Sequence, residues 1–349
     1  MQRRHLILVL SMVMVAGLIG VGWWRWSDTR EVTRSEFLMG TYIEARFYGR
    51  QAAAAMDAVF ARLVEIEEKM SINLPSSEVS QINAQAGQAA VAVSPDTFFV
   101  VERALHYAEL TAGKFDPTVQ PIVSLWKIGS EEARVPAPAE IADKLDLVDY
   151  RAVELDRENQ TVFLTRAGMG IDLGGIAKGY AADETARILR EHGVKNAYIS
   201  LGGNLYTLGK NPKGRDWRIG IQEPKVEAAQ GAFVAIVDTS GESLVSSGGY
   251  ERYLEDDGTR YHHIIDPDTG YPAETDVLGV TIISPSSIDA DGLSTSLFIL
   301  GREQGLQLAE QLEDVEAIFI DKDNFIYATS GIRDKLIIAN DAYTLAPAD

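Results

Sequence analysis

The sequence predicts an α+β fold. Segments in which apolar residues recur at helical spacing are interleaved with short alternating segments typical of strands, and the two kinds follow no regular β–α–β order. Hydrophobic residues make up 46% of the 349 residues, which is enough to bury a substantial core. The chain carries no long-period repeat and no low-complexity tract, so we expect one large domain or two closely packed ones.

The first 26 residues predict a membrane segment. Arg3 and Arg4 precede an apolar run from Leu6 to Trp24, and Trp26 follows. A basic start, roughly 20 apolar residues and tryptophans at the boundary are typical of one transmembrane helix with a cytoplasmic N-terminus. A cleaved signal peptide is the alternative, although no small-x-small cleavage site precedes the tryptophans. Either way the rest of the chain is expected to be exported, with residues 27–36 as a linker.

We expect the folded domain to span residues 37–349. It begins with residues 37–48, which predict a strand after a glycine-containing bend, and the first helices follow. The helix at 53–70 combines apolar residues at helical spacing with an absence of Gly and Pro. A second helix begins at Ser94-Pro95, a capping residue followed by proline at the first helical position, and ends at Gly113.

The remaining elements are shorter and more closely spaced. A loop at 130–140 leads into a short helix at 140–146, and a third long helix runs over 176–192 before Gly193. Strands are expected at 151–155, 160–165, 197–201, 204–208, 217–221, 233–238, 260–265 and 277–283, helices at 289–300 and 302–312, and a final strand pair at 315–320 and 325–329.

Composition excludes several classes of function. The 51 acidic residues outnumber the 32 basic ones, giving a formal net charge of -19. Such a surface repels phosphate backbones, so we expect no nucleic-acid partner. Cysteine is absent, which excludes disulfides, thiolate metal sites, cysteine nucleophiles and lipid attachment to an N-terminal cysteine.

The segment from Asp172 to Asp183 reads DLGGIAKGYAAD and is the first candidate site. Its first two glycines stand where a strand passes into the third helix, where the backbone can approach a ligand and helix N-terminal amides favour an anion. The spacing fits neither a Walker P-loop nor the GxGxxG motif. A tight turn capped by Asp172 is the simpler interpretation of this segment taken alone.

The second candidate is an acidic helix start at 287–295, which reads SIDADGLST. Asp291 and Thr295 are four residues apart and would share one face of a helix. A carboxylate and a hydroxyl are hard oxygen ligands suited to a magnesium ion that keeps other positions for phosphates. Alternatively, an acidic residue in the first turn offsets the helix dipole and the threonine is a surface residue.

The third candidate, at 261–272, reads YHHIIDPDTGYP and contains two adjacent histidines. On a strand His262 and His263 would face opposite ways, so they are not expected to chelate one metal together. One could act as a base or stack on a ligand, and a hairpin with incidental histidines is the alternative. Two further segments, SLGGN at 200–204 and LVSSGGYERY at 244–253, indicate only turns when taken alone.

The order of these segments carries more information than any one of them. The series resembles the ApbE family of FAD:protein FMN transferases over roughly residues 37–330, and the resemblance implies an ApbE-like, T-fold-related arrangement of mixed sheets packed with helices. The matching segments are Met39-Gly40-Thr41, Phe115-Asp116-Pro117-Thr118, Asp172 to Ala181, Leu201-Gly202-Gly203-Asn204, Ser247 to Glu251, His263 to Pro267, and Asp291 to Thr295.

The resemblance also implies roles for individual residues. For the metal, it implies that Gly175 gives a backbone carbonyl to Mg²⁺, while Asp291 and Thr295 give side-chain oxygens. His263 would lie beside the dinucleotide and is a candidate catalytic base, and Asp291 would serve catalysis through the metal. The positions implied to contact FAD are Met39, Lys114, Phe115, Asp116, Asp172, Lys178 and His263.

The implied reaction transfers FMN from FAD to a Thr or Ser hydroxyl of a target protein and releases AMP. Mg²⁺ on the pyrophosphate would neutralise charge on the leaving group, and a base would assist the attacking hydroxyl. The resemblance implies a target flavoprotein subunit of a membrane redox complex and a location at the bacterial inner membrane, with the catalytic domain outside the cytoplasm. An FAD pyrophosphatase and a non-catalytic flavin-binding protein are the alternatives.

The sequence departs from the family pattern in three places. Many members are lipoproteins, but this chain has no cysteine to acylate, so the helix at Leu6–Trp24 would replace the lipid. Lys178 stands where some relatives carry a carboxylate, which would alter contacts with the pyrophosphate. Gly292 lowers the helix propensity of the metal-binding helix, and we expect it to give the backbone room near the ion.

Overall fold

The computed structural model describes residues 30–229 and 231–347, and helices and strands occur in mixed order along them. The helices are α1 (Ala52–Met70), α2 (Glu78–Ala84), α3 (Pro95–Leu110), α4 (Gln120–Trp126), α5 (Pro138–Leu145), α6 (Ala177–Glu191), α7 (Ser287–Ala309) and α8 (Ser330–Arg333), with 3₁₀ turns at Pro117–Val119 and Tyr150–Ala152. The strands are β1 (Glu31–Leu38), β2 (Thr41–Tyr48), β3 (Val91–Ala92), β4 (Val153–Asp156), β5 (Thr161–Leu164), β6 (Asn196–Leu201), β7 (Asn204–Leu208), β8 (Trp217–Gln222), β9 (Phe233–Thr239), β10 (Ser243–Gly248), β11 (Tyr253–Asp256), β12 (Thr259–His262), β13 (Val277–Ser284), β14 (Glu316–Asp321), β15 (Phe325–Ala328), β16 (Ile337–Ile338) and β17 (Thr344–Leu345).

The main sheet of the described residues contains nine strands in the order β1-β2-β6-β7-β10-β13-β14-β15-β17. Neighbouring strands are antiparallel except β15 and β17, which run parallel. Smaller sheets have the orders β16-β9-β8, β3-β5-β4 and β11-β12. Helices and strands in mixed order around a largely antiparallel sheet confirm the predicted α+β class.

The core lies between the main sheet and the long helices α1, α6 and α7. On β2 the inward side chains Ile43, Ala45 and Phe47 are fully buried, and they belong to the same apolar cluster as Leu63 and Ile66 of α1. Full burial of a large aliphatic or aromatic side chain stabilises the fold by about 1.5–3 kcal/mol relative to exposure. The alternation on β2 therefore determines which face of the sheet the helices cover.

A second apolar cluster covers part of the opposite face of the sheet. Side chains from β9, including Val234 and Val237, pack there with Ile318, Ile320 and Ile326 of the main sheet. Its buried members come from β8, β9, β10, β13, β14, β15 and the C-terminal segment, and none comes from β1 or β2. The outer face of the β1–β2 hairpin therefore lies outside both cores.

The helix α7 is interrupted at Gly301, where φ is +77°. Only glycine adopts such a conformation without strain, and a Cβ there would also lie 2.8 Å from Oδ1 of Asp276. The same oxygen accepts a hydrogen bond from the Arg302 amide, at 3.0 Å, and so caps the second helical segment. The two helices predicted at 289–300 and 302–312 therefore correspond to the two halves of α7.

Several sequence predictions need correction. The linker predicted over 27–36 is wrong from residue 31 onward, because β1 pairs along its whole length with β2. The strand predicted within 37–48 after a glycine-containing bend corresponds to β2, which follows the turn at Met39 and Gly40, and the pairing of Phe37 and Leu38 in β1 was not predicted. The strand predicted at 260–265 ends at His262. The segment at 244–253, interpreted as a turn, contains β10, which lies between β7 and β13 in the sheet, and the start of β11.

The predicted membrane helix at Leu6–Trp24 lies outside the described residues, as do residues 1–26 as a whole. Within the described ranges no helix combines the length and the apolar character that crossing a bilayer requires.

Candidate active site

Two turns and the end of strand β10 meet at one end of the main sheet, which we call the site end. Met39 and Gly40 join β1 to β2, and Gly202 and Gly203 join β6 to β7 beside them, since Ile43 is paired with Leu201. The C-terminal end of β10 reaches the same place, because the Ser246 amide donates to the Gly203 carbonyl at 3.1 Å. The predicted segments at 39–41, 201–204 and 247–251 are thus brought together.

The helices α6 and α7 join each other through the backbone of one and a carboxylate of the other. The Gly179 amide donates a 2.8 Å hydrogen bond to Oδ2 of Asp291, a residue that is only 3% exposed. A Cβ on Gly179 would lie 2.4 Å from the Ser287 carbonyl oxygen, so only glycine allows this approach. The two most informative predicted segments therefore form one site.

The Gly175 carbonyl accepts no hydrogen bond from a donor within the described ranges. Gly175 precedes Ile176, the N-cap of α6, so the helical hydrogen-bond pattern does not include this carbonyl. The Ile176 carbonyl accepts from the Tyr180 amide at 3.1 Å, while the Gly179 amide is directed to Asp291. A Cβ on Gly175 would lie 3.8 Å from Oγ1 of Thr295, so Gly175 stands close to a hydroxyl on α7.

The donor set around this point suits a small hard cation. The available oxygens are the Gly175 carbonyl, Oδ1 of Asp291 and Oγ1 of Thr295, and the Thr295 hydroxyl lies 3.5 Å from Oγ of Ser247. Oxygen ligands of this kind, few in number, are typical of Mg²⁺, which keeps several waters or phosphate oxygens. No cluster of three or more His, Cys, Asp or Glu side chains with metal-binding geometry occurs in the described part of the chain. The oxygens named here come from one carboxylate, one hydroxyl and one backbone carbonyl, so they do not form such a cluster.

Lys178 supplies positive charge beside these oxygens. Its Nζ donates to the Gly174 carbonyl at 3.0 Å and lies 4.0 Å from Oδ1 of Asp291. Asp172 caps the same turn by accepting from the Gly174 amide at 2.8 Å, and burial raises the pKa of its carboxyl. A phosphate group at this turn would meet one ammonium group and the start of a helix.

His263 is a neutral imidazole at neutral pH. Burial lowers its pKa to about 4, and the nearby positive charges of Arg252 and Lys178 act in the same direction. Its Nδ1 lies 3.2 Å from the Arg252 carbonyl oxygen, which can only accept a hydrogen bond. Nδ1 therefore carries the proton, and Nε2 presents a lone pair, as a general base requires.

His262 points elsewhere, as the strand alternation predicts. Its ring packs edge-on against Phe298, with centroids 5.6 Å apart, and Nε2 lies 3.1 Å from the Ala273 carbonyl oxygen. Burial lowers the pKa of this histidine too. His262 therefore belongs to the packing beneath the site, and the two histidines do not form a chelating pair.

Lys114 and Phe115 contact different parts of the site. Lys114 Nζ is ion-paired with Asp266 at 3.1 Å and with Asp268 at 2.8 Å, which ties it to the turn after His263. The Phe115 ring lies 3.2 Å from the position that a Cβ on Gly175 would occupy.

Asp116 is buried, and both its carboxylate oxygens are committed to its own surroundings. Oδ1 accepts from the Thr118 amide and hydroxyl at 2.8 and 2.6 Å, and Oδ2 accepts from the Tyr150 amide at 3.0 Å. Burial raises the pKa of this carboxyl. The side chain thus holds the turn that carries Lys114 and Phe115.

Met39 adopts a left-handed conformation, with φ +53°, and its amide donates to Oε1 of Glu67 at 2.9 Å. The next carbonyl, of Gly40, accepts from Nη2 of Arg252 at 3.0 Å. The β1–β2 turn is therefore attached both to α1 and to the chain that leads to β11.

Two neighbouring residues, Glu251 and Arg252, had no role in the sequence interpretation. The Glu251 carboxylate accepts no hydrogen bond within the described ranges, burial raises its pKa, and the charges of Lys178 and Asp291 act on it. Arg252 joins the Gly40 turn to His263 through its side chain and its carbonyl. Glu251 ends the segment Ser247 to Glu251 that resembles the family pattern, which was the signal that could have singled it out, and Arg252 directly follows.

One expectation about the helix α7 was wrong. Gly292 does not open space towards the ion, because a Cβ there would lie 2.6 Å from Cδ2 of Tyr107. The glycine admits the Tyr107 ring against α7. The lower helix propensity of glycine at this position therefore accompanies the close packing of α7 against α3.

Comparison with known proteins identifies the family to which the chain is similar. A sequence model described as "ApbE family" matches residues 39–319. A Treponema pallidum protein named FAD:protein FMN transferase is 38% identical, over 95% of this chain and 96% of the relative. A Klebsiella pneumoniae protein of the same name is 39% identical, over 87% of this chain and 93% of the relative.

Solved structures are similar over the same region. The ApbE protein of Thermotoga maritima superposes with a TM-score of 0.81 at 31% identity, over 88% of this chain and 99% of that chain. The flavin transferase ApbE of Vibrio cholerae superposes with a TM-score of 0.78 at 30% identity, over the same shares. The expected ApbE-like fold is thereby confirmed, and the chain belongs to the ApbE family.

Proposed function

We propose that this chain is a magnesium-dependent FAD:protein FMN transferase. The observation that supports the proposal is the proximity of Gly175 to Thr295, and of Asp291 to Lys178, where α6 and α7 meet. The transferase names of the relatives support the same activity. FAD is the donor substrate, a Thr or Ser hydroxyl of a target protein is the acceptor, and AMP is released.

Asp291, Thr295 and Gly175 would hold the metal through a carboxylate, a hydroxyl and a carbonyl oxygen. When bound, Mg²⁺ supplies positive charge that stabilises the departing phosphate oxygen. The chain prepares this site through the Gly179 amide, whose hydrogen bond to Asp291 orients the carboxylate. Lys178 adds a second positive charge for the pyrophosphate.

His263 would accept the proton of the acceptor hydroxyl at Nε2. The hydroxyl oxygen then bonds to the FMN-side phosphorus, the bond from that phosphorus to the bridging oxygen breaks, and AMP leaves. The proton held at Nδ1 keeps the ring oriented through the Arg252 carbonyl. A pyrophosphate beside Lys178 would offset that positive charge and so raise the pKa of His263 towards the working range.

The experiment mixes the full chain with FAD, Mg²⁺ and an acceptor domain that carries Thr in a short Asp-containing segment. AMP release and the mass of the acceptor are followed for the wild type and for Asp291→Asn. Asp289→Asn is the matched control, because Asp289 lies one half-turn away on the same helix and pairs with Arg103.

An acceptor that gains the mass of FMN only with Mg²⁺ and intact Asp291 supports the proposal. AMP and free FMN without an adduct indicate the pyrophosphatase alternative. Bound FAD with no AMP overturns the catalytic reading in favour of a flavin-binding protein.

We further propose that the N-terminal segment anchors the chain in the bacterial inner membrane, with this site on the extracytoplasmic side and its target among membrane redox subunits. The basic start and the apolar run at Leu6–Trp24 support this location. Protease added to spheroplasts is expected to digest the domain, whereas intact cells protect it. Digestion only after lysis of the inner membrane would contradict it.

A further inference from the structure

Two neighbouring aromatic side chains are unusually exposed. Phe37 and Tyr42 are 74% and 62% exposed, more than any other large apolar side chain of the described residues. They are direct partners in the β1–β2 register. Directly opposed residues of an antiparallel pair point to the same face with Cβ atoms about 4.5–5.5 Å apart, so the two rings form one patch, called here the aromatic pair.

The aromatic pair lies on the face of the main sheet opposite the helices, one position from the turn at the site end, where that face is open to solvent. Ile43, the next residue on β2, is fully buried, so Tyr42 faces the opposite side from the helices. Leu38 and Thr41 are the partners that close the hairpin. The second apolar cluster, which covers this face elsewhere, contains no buried residue of β1 or β2.

The hairpin is attached firmly to the candidate base. The Gly40 carbonyl accepts from Nη2 of Arg252 at 3.0 Å, and the Arg252 carbonyl accepts from the His263 amide at 3.1 Å. A polypeptide held by the aromatic pair would thus be held in a defined position relative to His263.

We propose that the aromatic pair docks the acceptor polypeptide, by covering an apolar side chain that flanks the modified Thr or Ser. This inference rests on the proposed function, because a transferase must position a protein substrate at the site end. Exposed Tyr and Phe side chains are typical anchors of protein interfaces, since they bury a large area with few rotatable bonds.

The surroundings favour a polypeptide over a lipid surface. On the same face the next cross-strand pairs are Ser35 with Glu44 and Thr33 with Arg46, which are polar or charged. Such groups suit the backbone and side chains of an extended segment, whereas a bilayer would desolvate them. The pair also lies six residues along β1 from Glu31, about 20 Å from where the N-terminal segment joins the domain.

The test uses the full chain and the double variant Phe37→Ala with Tyr42→Ala. Phe325→Ala is the matched control, because Phe325 is an exposed aromatic residue on β15, near the opposite edge of the same sheet. The probes are the acceptor domain described above and a form of it with the acceptor Thr replaced by Val, which binds but cannot react. Thermal unfolding of each variant checks that the fold is retained.

We expect the double variant to raise the KM for the acceptor domain, and the Kd of the Val form, by about 10-fold or more. The affinity for FAD should stay unchanged, and so should any AMP release by hydrolysis of FAD when no acceptor is present. Phe325→Ala should behave as wild type.

Three results would overturn the inference. One is an unchanged KM for the acceptor. Another is an equal loss of FAD affinity, which would assign the rings to the dinucleotide. The third is an effect confined to binding of phosphatidylglycerol vesicles, which would assign them to the membrane. If the wild-type chain transfers no FMN at all, the proposed function fails first and this inference with it.

Discussion

The amide of Gly179 donates to Oδ2 of Asp291, and this 2.8 Å bond joins the first turn of α6 to the first turns of α7. The bond orients the carboxylate and leaves Oδ1 directed towards Lys178, 4.0 Å away. A single contact between two helix starts therefore fixes the Asp291 carboxylate beside Lys178.

Gly179→Ala is expected to destabilise the fold and to abolish the metal site. The added Cβ would meet the Ser287 carbonyl at 2.4 Å and Cβ of Asp291 at 2.7 Å, neither of which is a flexible chain end. Overpacking of this kind costs about 1–3 kcal/mol, measured by denaturant unfolding, and Mg²⁺-dependent AMP release should fall with it. Arg187→Ala on the exposed face of α6 is the control. A stable Gly179→Ala variant with normal metal dependence would refute the packing argument.

Lys178→Met is expected to weaken FAD binding while leaving the fold intact. The lost ammonium group contacts the Gly174 carbonyl and stands beside the proposed pyrophosphate position. A hydrogen bond to a charged group contributes about 1.5–3 kcal/mol, so the KM for FAD should rise on the order of 10–100-fold. Lys178→Arg should restore part of the affinity. Equal KM values for Met and Lys at this position would show that the charge does not contact the dinucleotide.

The pH profile should show a base that titrates in the acid range. His263 is active as a base when neutral, and burial lowers its pKa to about 4 in the free chain. Activity should therefore be retained as pH falls through 6, and kcat/KM should decline only as pH approaches 4. His263→Gln should lower kcat and remove this limb. A decline centred near pH 6.5 that persists in the variant would indicate a different base.

Lys114→Met is expected to lower kcat more than it raises the KM for FAD. Its ion pairs with Asp266 and Asp268 hold the turn that follows His263. Loss of these pairs would displace His263, the candidate base, and a displaced base lowers the rate of the chemical step. We expect kcat to fall by about 10-fold in steady-state assays. Lys210→Met removes an ion pair with Asp216 far from the site and serves as the control. A pure KM effect would instead mean that Lys114 binds FAD directly.

Local patterns predicted the long helices well. The helix at 53–70 corresponds to α1, and the Ser94-Pro95 start corresponds to the Ser94 cap and Pro95 start of α3. Helical spacing, caps and prolines act within a few residues, so the sequence near each helix contains the information.

Strand β10 shows where local patterns fail. Its sequence SLVSSG lacks the alternation of a half-buried strand, and two of its serines, Ser246 and Ser247, bond to groups on other elements. Ser247 donates to Ser294 on α7 at 2.9 Å, and Ser246 lies 2.9 Å from Oγ1 of Thr281 on β13. A strand whose polar residues are satisfied by distant partners carries no signature of its own.

The sequence by itself determined the α+β class, most helix boundaries and the order of the site segments, since these depend on composition and short-range spacing. Tertiary structure alone decided that Gly179 and Asp291, 112 residues apart, meet at one hydrogen bond. It also decided that Phe37 and Tyr42 lie on an uncovered face, and that residues 31–36 pair as a strand instead of forming a linker. Each of these depends on which distant segments pack together. The free energy of that packing comes from contacts between elements far apart in the chain, and local sequence patterns contain no information on those contacts.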